Sequence, residues 1–78
     1  MGTDYISKNG TKVLRVQQSF SGTYRVFAIP MDKAGSSAFI SGARPSWAHD
    51  WNTEKHAQRE LDRFAYKHRL EIYGGEKG

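Results

Sequence analysis

Through residues 5–29 apolar and polar positions alternate in short runs, broken where Asn, Gly and Ser collect. That period of two is the pattern of half-buried strands. Residues 11–17 set Leu14 and Val16 on one face and Val13, Arg15 and Gln17 on the other. Residues 23–29 are dense in β-branched and aromatic side chains and stop at Pro30, as strands do. Asn9-Gly10 lies between residues 5–8 and residues 11–17, and both members of that pair tolerate the positive φ of a type I′ hairpin turn. Residues 18–22 read as the next turn, residues 32–36 as a loop, and residues 37–41 as a further short strand. Short loops between consecutive strands predict an antiparallel meander of three to four strands.

The period changes after residue 42. Residues 42–46 are loop-like, and residues 47–51 predict one helical turn with Trp47 and Trp51 on the same side. Ala57, Leu61, Phe64, Ala65 and His68 then recur at helical spacing, which predicts an amphipathic helix over residues 53–68. Thr53 or Asn52 supplies the N-cap, and Lys67, His68 and Arg69 crowd the last turn, where the helix dipole is negative. Residues 70–73 alternate and suggest a final short strand ahead of a glycine-led tail over residues 74–78. One meander and one C-terminal helix predict an α+β fold of two layers, a single domain over residues 1–78 with its core within about 4–73. If the helix covers the Leu14 and Val16 face, Val13, Arg15, Gln17, Arg25, Phe27 and Ile29 lie on a face left to water, to a partner or to a second copy of the chain.

Composition narrows the function classes. A chain of 78 residues without cysteine buries only about 60% of its unfolded surface, so its apolar residues are needed for the core. Little remains to build a deep substrate pocket, which argues against an enzyme and against a small-molecule substrate. The net charge of +4 and pI near 9.6 favour anionic partners, nucleic acid or an acidic protein surface among them. The longest apolar run, residues 26–31, is too short to span a membrane. No secretory pattern opens the chain, and Ile6 stands where myristoylation needs Ser or Thr, so an intracellular, cytoplasmic protein is expected.

Catalytic patterns are missing. His49, His56 and His68 do not match the spacings that put two metal ligands on one helix face, and no thiolate accompanies them, so neither metal nor cofactor is expected. No serine sits in a nucleophile elbow and no glycine-rich loop has a phosphate-binding lysine. Glu54, Glu60 and Asp62 lie on an otherwise basic helix, where ion pairing is their ordinary use.

Two basic surfaces remain. With residues 18–22 as the loop, Arg15 falls opposite Arg25, a repulsion that an anion or a carboxylate would relieve. Together with Lys12 and Phe27 these arginines make the sheet a candidate nucleic-acid surface; the alternative is that Phe27 and Ile29 are core and the arginines solvated. On the helix, Lys55, Arg59, Arg63, Tyr66 and Lys67 share the outer side, either as a track for phosphates or as a solvated face laced with salt bridges. Arg44, Trp47 and Trp51 are of the types that anchor protein interfaces, although both Trp residues would equally serve a core.

Three strands followed by Thr53-Glu54-Lys55-His56-Ala57-Gln58-Arg59-Glu60-Leu61 resemble the arm-type DNA-binding domains at the start of many phage and transposon integrases. The likeness covers about residues 11–66, and residues 42–51 depart from it. It implies a sheet that enters the DNA major groove, with Arg15, Arg25 and Phe27 toward the bases. In size and charge the chain is also similar to small phage-borne inhibitors, anti-CRISPR proteins included. The expectation is therefore a non-catalytic module that binds nucleic acid or a nucleoprotein through a basic surface. The alternative is a phage or mobile-element inhibitor or adaptor that docks on a host protein.

Overall fold

The computed structural model describes residues 2–33 and 44–73. Three strands form an antiparallel sheet in the order β1 (Tyr5–Ile6), β2 (Lys12–Gln18), β3 (Tyr24–Pro30). A single 3₁₀ turn, Met31–Lys33, follows, and helix α1 spans Glu54–His68. The α+β meander with one C-terminal helix is the expected architecture. The strand expected over residues 37–41 and the tail over residues 74–78 lie outside the described residues.

Both hairpins close on one left-handed glycine. Gly10 has φ 76° and Gly22 φ 94°, and Gly10 N–H donates to Ser7 O at 2.9 Å as Gly22 N–H does to Ser19 O at 3.0 Å. The type I′ expectation fails at Asn9, whose φ is not positive. Its side-chain Oδ1 instead accepts from Thr11 N–H (3.2 Å), Thr11 Oγ1 (2.8 Å) and Ser7 Oγ (2.8 Å). Such local side-chain acceptance is the other way asparagine stabilises a turn. In the second hairpin Ser19 N–H donates to Thr23 O at 2.7 Å, so the loop occupies residues 19–23 rather than 18–22.

Register follows from that turn. Arg15 pairs with Phe27 and Arg25 with Gln17, so the two arginines are not opposed.

Thr53 is extended (φ −130°, ψ 150°) and its hydroxyl accepts from His56 N–H, which makes it the N-cap. Arg69 ends the helix in the left-handed region (φ 56°, ψ 47°). Ala57, Leu61 and Ala65 are buried on one face of α1, and the two alanines let the helix approach the sheet closely. Leu14, Val26, Ala48 and Leu61 form the core between the layers, with Tyr5, Val16, Ala28, Trp47, Phe64 and Leu70 packed around them.

The opposite sheet face is not open. Val13 and Ile29 are fully buried and Phe27 is only 6% exposed, so the expected free face, and a dimer through it, do not hold. Val13 lies directly opposite Ile29, and leaving such a pair in water would cost about 25 cal/mol per Å² of apolar surface.

The segment before the helix also departs from expectation. Residues 47–51 are not helical: a turn at residues 46–47 is closed by Ala48 N–H donating to Pro45 O at 3.0 Å, and irregular chain leads from there to a bridge at Trp51. Tyr24 and Trp51 exchange backbone hydrogen bonds of 2.7 and 2.8 Å along the outer side of β3. An edge strand has unpaired amides there, and pairing them outweighs one short helical turn. On the other edge Ile72 makes an isolated bridge to Tyr5, and residues 70–73, expected as a final short strand, form no strand of the sheet. Among the described residues no helix is long and apolar enough to cross a membrane.

Candidate functional site

The sheet arginines are engaged by carboxylates. Arg15 Nε donates to Asp4 Oδ2 at 2.8 Å, and both side chains are mostly covered. Arg25 Nε lies 2.7 Å from Asp50 Oδ1, while its guanidinium carbon sits 5.8 Å from the centre of the Phe27 ring. The Arg25 N–H is not aimed at the carboxylate, so this is a Coulombic contact rather than an aligned hydrogen bond. Asp50 Oδ1 also attracts Arg44 at 3.6 Å. With Phe27 buried and each arginine matched to an acid, the expected sheet surface is not assembled; Lys12 is exposed but lies on the Leu14 side of the sheet.

The helix differs. Lys55, Arg59, Arg63 and Lys67 are all exposed, with Tyr66 88% exposed among them. At about 100° per residue these side chains project within one third of the helix circumference. None of the four cations has a carboxylate within ion-pair distance among the described residues. Two of the three helix acids point elsewhere. Asp62 Oδ1 accepts from Tyr5 Oη at 2.8 Å and from Gln58 Nε2 at 2.9 Å. Glu60 turns toward the segment that precedes the helix. Its Oε1 accepts from Trp51 Nε1 at 3.0 Å and from His49 N–H at 3.1 Å, while Oε2 meets His49 Nδ1.

Those contacts create a groove. His49, Trp51, His56, Arg59, Glu60 and Arg63 line an open concavity of about 480 Å³. The Trp51 and His56 rings stack at 17° with centroids 5.7 Å apart, and His49 meets Trp51 edge-on at 6.3 Å. The Glu60 side chain is only 15% exposed. Burial pushes its carboxyl up, but hydrogen bonds from the His49 ring, the Trp51 indole and the His49 amide outweigh it and hold the pKa below the ordinary value.

Of the expected protein anchors, Arg44 is exposed and Trp47 lies flat on Phe64, with centroids 4.0 Å apart at 13°. Trp47 thus borders the core, whereas Trp51 enters the groove beside Arg59 and Arg63. The sequence pattern assigns no site role to His49 or His56 and gives Glu60 only ion pairing along the helix. Glu60 and His49 are eleven residues apart and belong to no local motif. The one available signal was the position of Glu60 between the apolar arc and the cationic arc of the helix.

No protein-family model, curated protein or solved structure matches the chain.

Proposed function

We propose that this chain is a non-catalytic binding module that takes nucleic acid on the outer face of α1. The observation that carries this reading is the row Lys55, Arg59, Arg63 and Lys67, exposed and without carboxylate partners among the described residues, while Glu60 and Asp62 are held by other groups. Four neighbouring cations repel one another, and a phosphate backbone relieves that repulsion while releasing its own counterions. Binding of labelled DNA and RNA oligomers should therefore weaken steeply with salt. Four phosphate contacts correspond to a slope of log K against log salt of about −3. Arg59→Ala and Arg63→Ala should each reduce the slope by about 0.7 to 0.9. Absence of binding to any oligomer at low salt would refute the reading.

Tyr66 favours a second reading, an inhibitor or adaptor that docks on an acidic protein surface. An exposed aromatic among cations is a common interface anchor. A partner captured from nuclease-treated lysate and lost with Tyr66→Ala would support it; a partner that disappears with nuclease supports nucleic acid.

A further inference from the structure

We propose that the groove between Trp51 and α1 accepts an unpaired nucleobase, stacked on the Trp51–His56 ring pair, with the adjoining phosphate held by Arg59 and Arg63. This rests on the nucleic-acid reading above and narrows it to single strands.

The rings are prepared for stacking. Trp51 and His56 are already near-parallel, and the indole is fixed at its edge by Glu60 and along its backbone by the bridge to Tyr24. Little rotamer freedom is left to lose when a base arrives, which favours affinity. The groove, about 480 Å³, falls within the range of small-ligand sites. Arg59 and Arg63 stand one helical turn apart on its wall, neighbours on one face of the helix.

Glu60 also lines the groove, and a free carboxylate there would repel a phosphate. Glu60 stays ionised, but its two oxygens accept from the Trp51 indole and the His49 amide and meet the His49 ring, and these donors offset part of its repulsion. The open cationic groups are the arginines. A base inside a duplex has both faces covered by its neighbours, so only an unpaired strand offers a face to the rings. Any base has such a face, so the site tolerates sequence.

The test compares ten-nucleotide dT and U oligomers with a duplex of equal length at one salt concentration. A Trp47→Phe variant leaves Trp51 as the only indole, and its fluorescence reports the groove. Single strands should quench that emission and bind about tenfold more tightly than the duplex. His56→Ala should remove most of that preference, bringing single-strand affinity down toward that of the duplex. Arg63→Ala should weaken both forms. Preference for dT or for U identifies which kind of strand the site is suited to. Equal binding of single strand and duplex with unchanged emission would overturn this inference and leave the helix-face reading standing. Absence of any binding at low salt would overturn both.

Discussion

Glu60 ties the groove to the protonation state of the fold. Because its pKa is held below the ordinary carboxylate value, the ionised form is the one the folded protein prefers. The stability it contributes is present above the unfolded pKa and is lost as pH falls through the lowered folded value. Denaturant unfolding followed from neutral pH downward should show this loss, and Glu60→Gln should abolish that component. Tyr5 works in the opposite direction. Burial, then the hydrogen bond to Asp62 and the charge of that carboxylate, push its pKa from 10.0 up to about 12. Its contribution is fully present below the unfolded value and disappears as pH rises from 10.0 through about 12. Ultraviolet titration should find Tyr5 ionising late in the folded protein, and Tyr5→Phe should flatten the alkaline loss of stability. Arg69 pays for its left-handed φ of 56° with strain that glycine would not feel. Arg69→Gly should stabilise by about 1 kcal/mol, a rise in Tm of about 4–8 °C for a domain of this size.

At the scale of elements, α1 is held by a narrow contact. Leu61 is fully buried at the centre of that contact, between Ala57 and Ala65. Leu61→Ala should cost about 2–5 kcal/mol in thermal or denaturant unfolding, a large share of the stability of so small a domain. Lys55→Ala and Arg59→Ala, on the solvent side, should shift the midpoint hardly at all. The helix was legible in the sequence because its apolar residues recur at a spacing that only a helix can align. Its predicted span, residues 53–68, differs from Glu54–His68 only in counting the N-cap. The strands were legible in kind but not in register. Moving the second loop to residues 19–23 puts Phe27 opposite Arg15, and a turn choice of that size is set by backbone conformation at Gly22.

For the whole molecule, the decisive feature is where acids meet bases. Asp4 and Asp50 offset Arg15 and Arg25 beside the sheet, whereas the helix cations have no such partners among the described residues. The outer face of α1 therefore presents a row of cations that no carboxylate offsets among the described residues. Arg15→Ala and Arg25→Ala should affect unfolding midpoints more than nucleic-acid affinity, and Arg59→Ala with Arg63→Ala should do the reverse. Parallel melts and binding titrations on the two double variants check this; loss of binding in the first pair alone would return the interface to the sheet.

Local pattern by itself determined that this chain builds strands and then one amphipathic helix, and which side of that helix is buried. Period and turn chemistry act over a few residues, so they can be read directly. Only the tertiary structure decided the rest. Val13, Phe27 and Ile29 are buried on the face expected to be free, because a small domain gains by covering apolar residues on both sides of its sheet. Residues 47–51 form no helical turn, because the edge amide and carbonyl of Tyr24 pair with Trp51. Glu60 turns to His49 and Trp51, residues far along the chain that become neighbours only when the helix docks. Charge is counted along a sequence, but whether an arginine is neutralised or open depends on which carboxylate folding brings within a few ångströms of it.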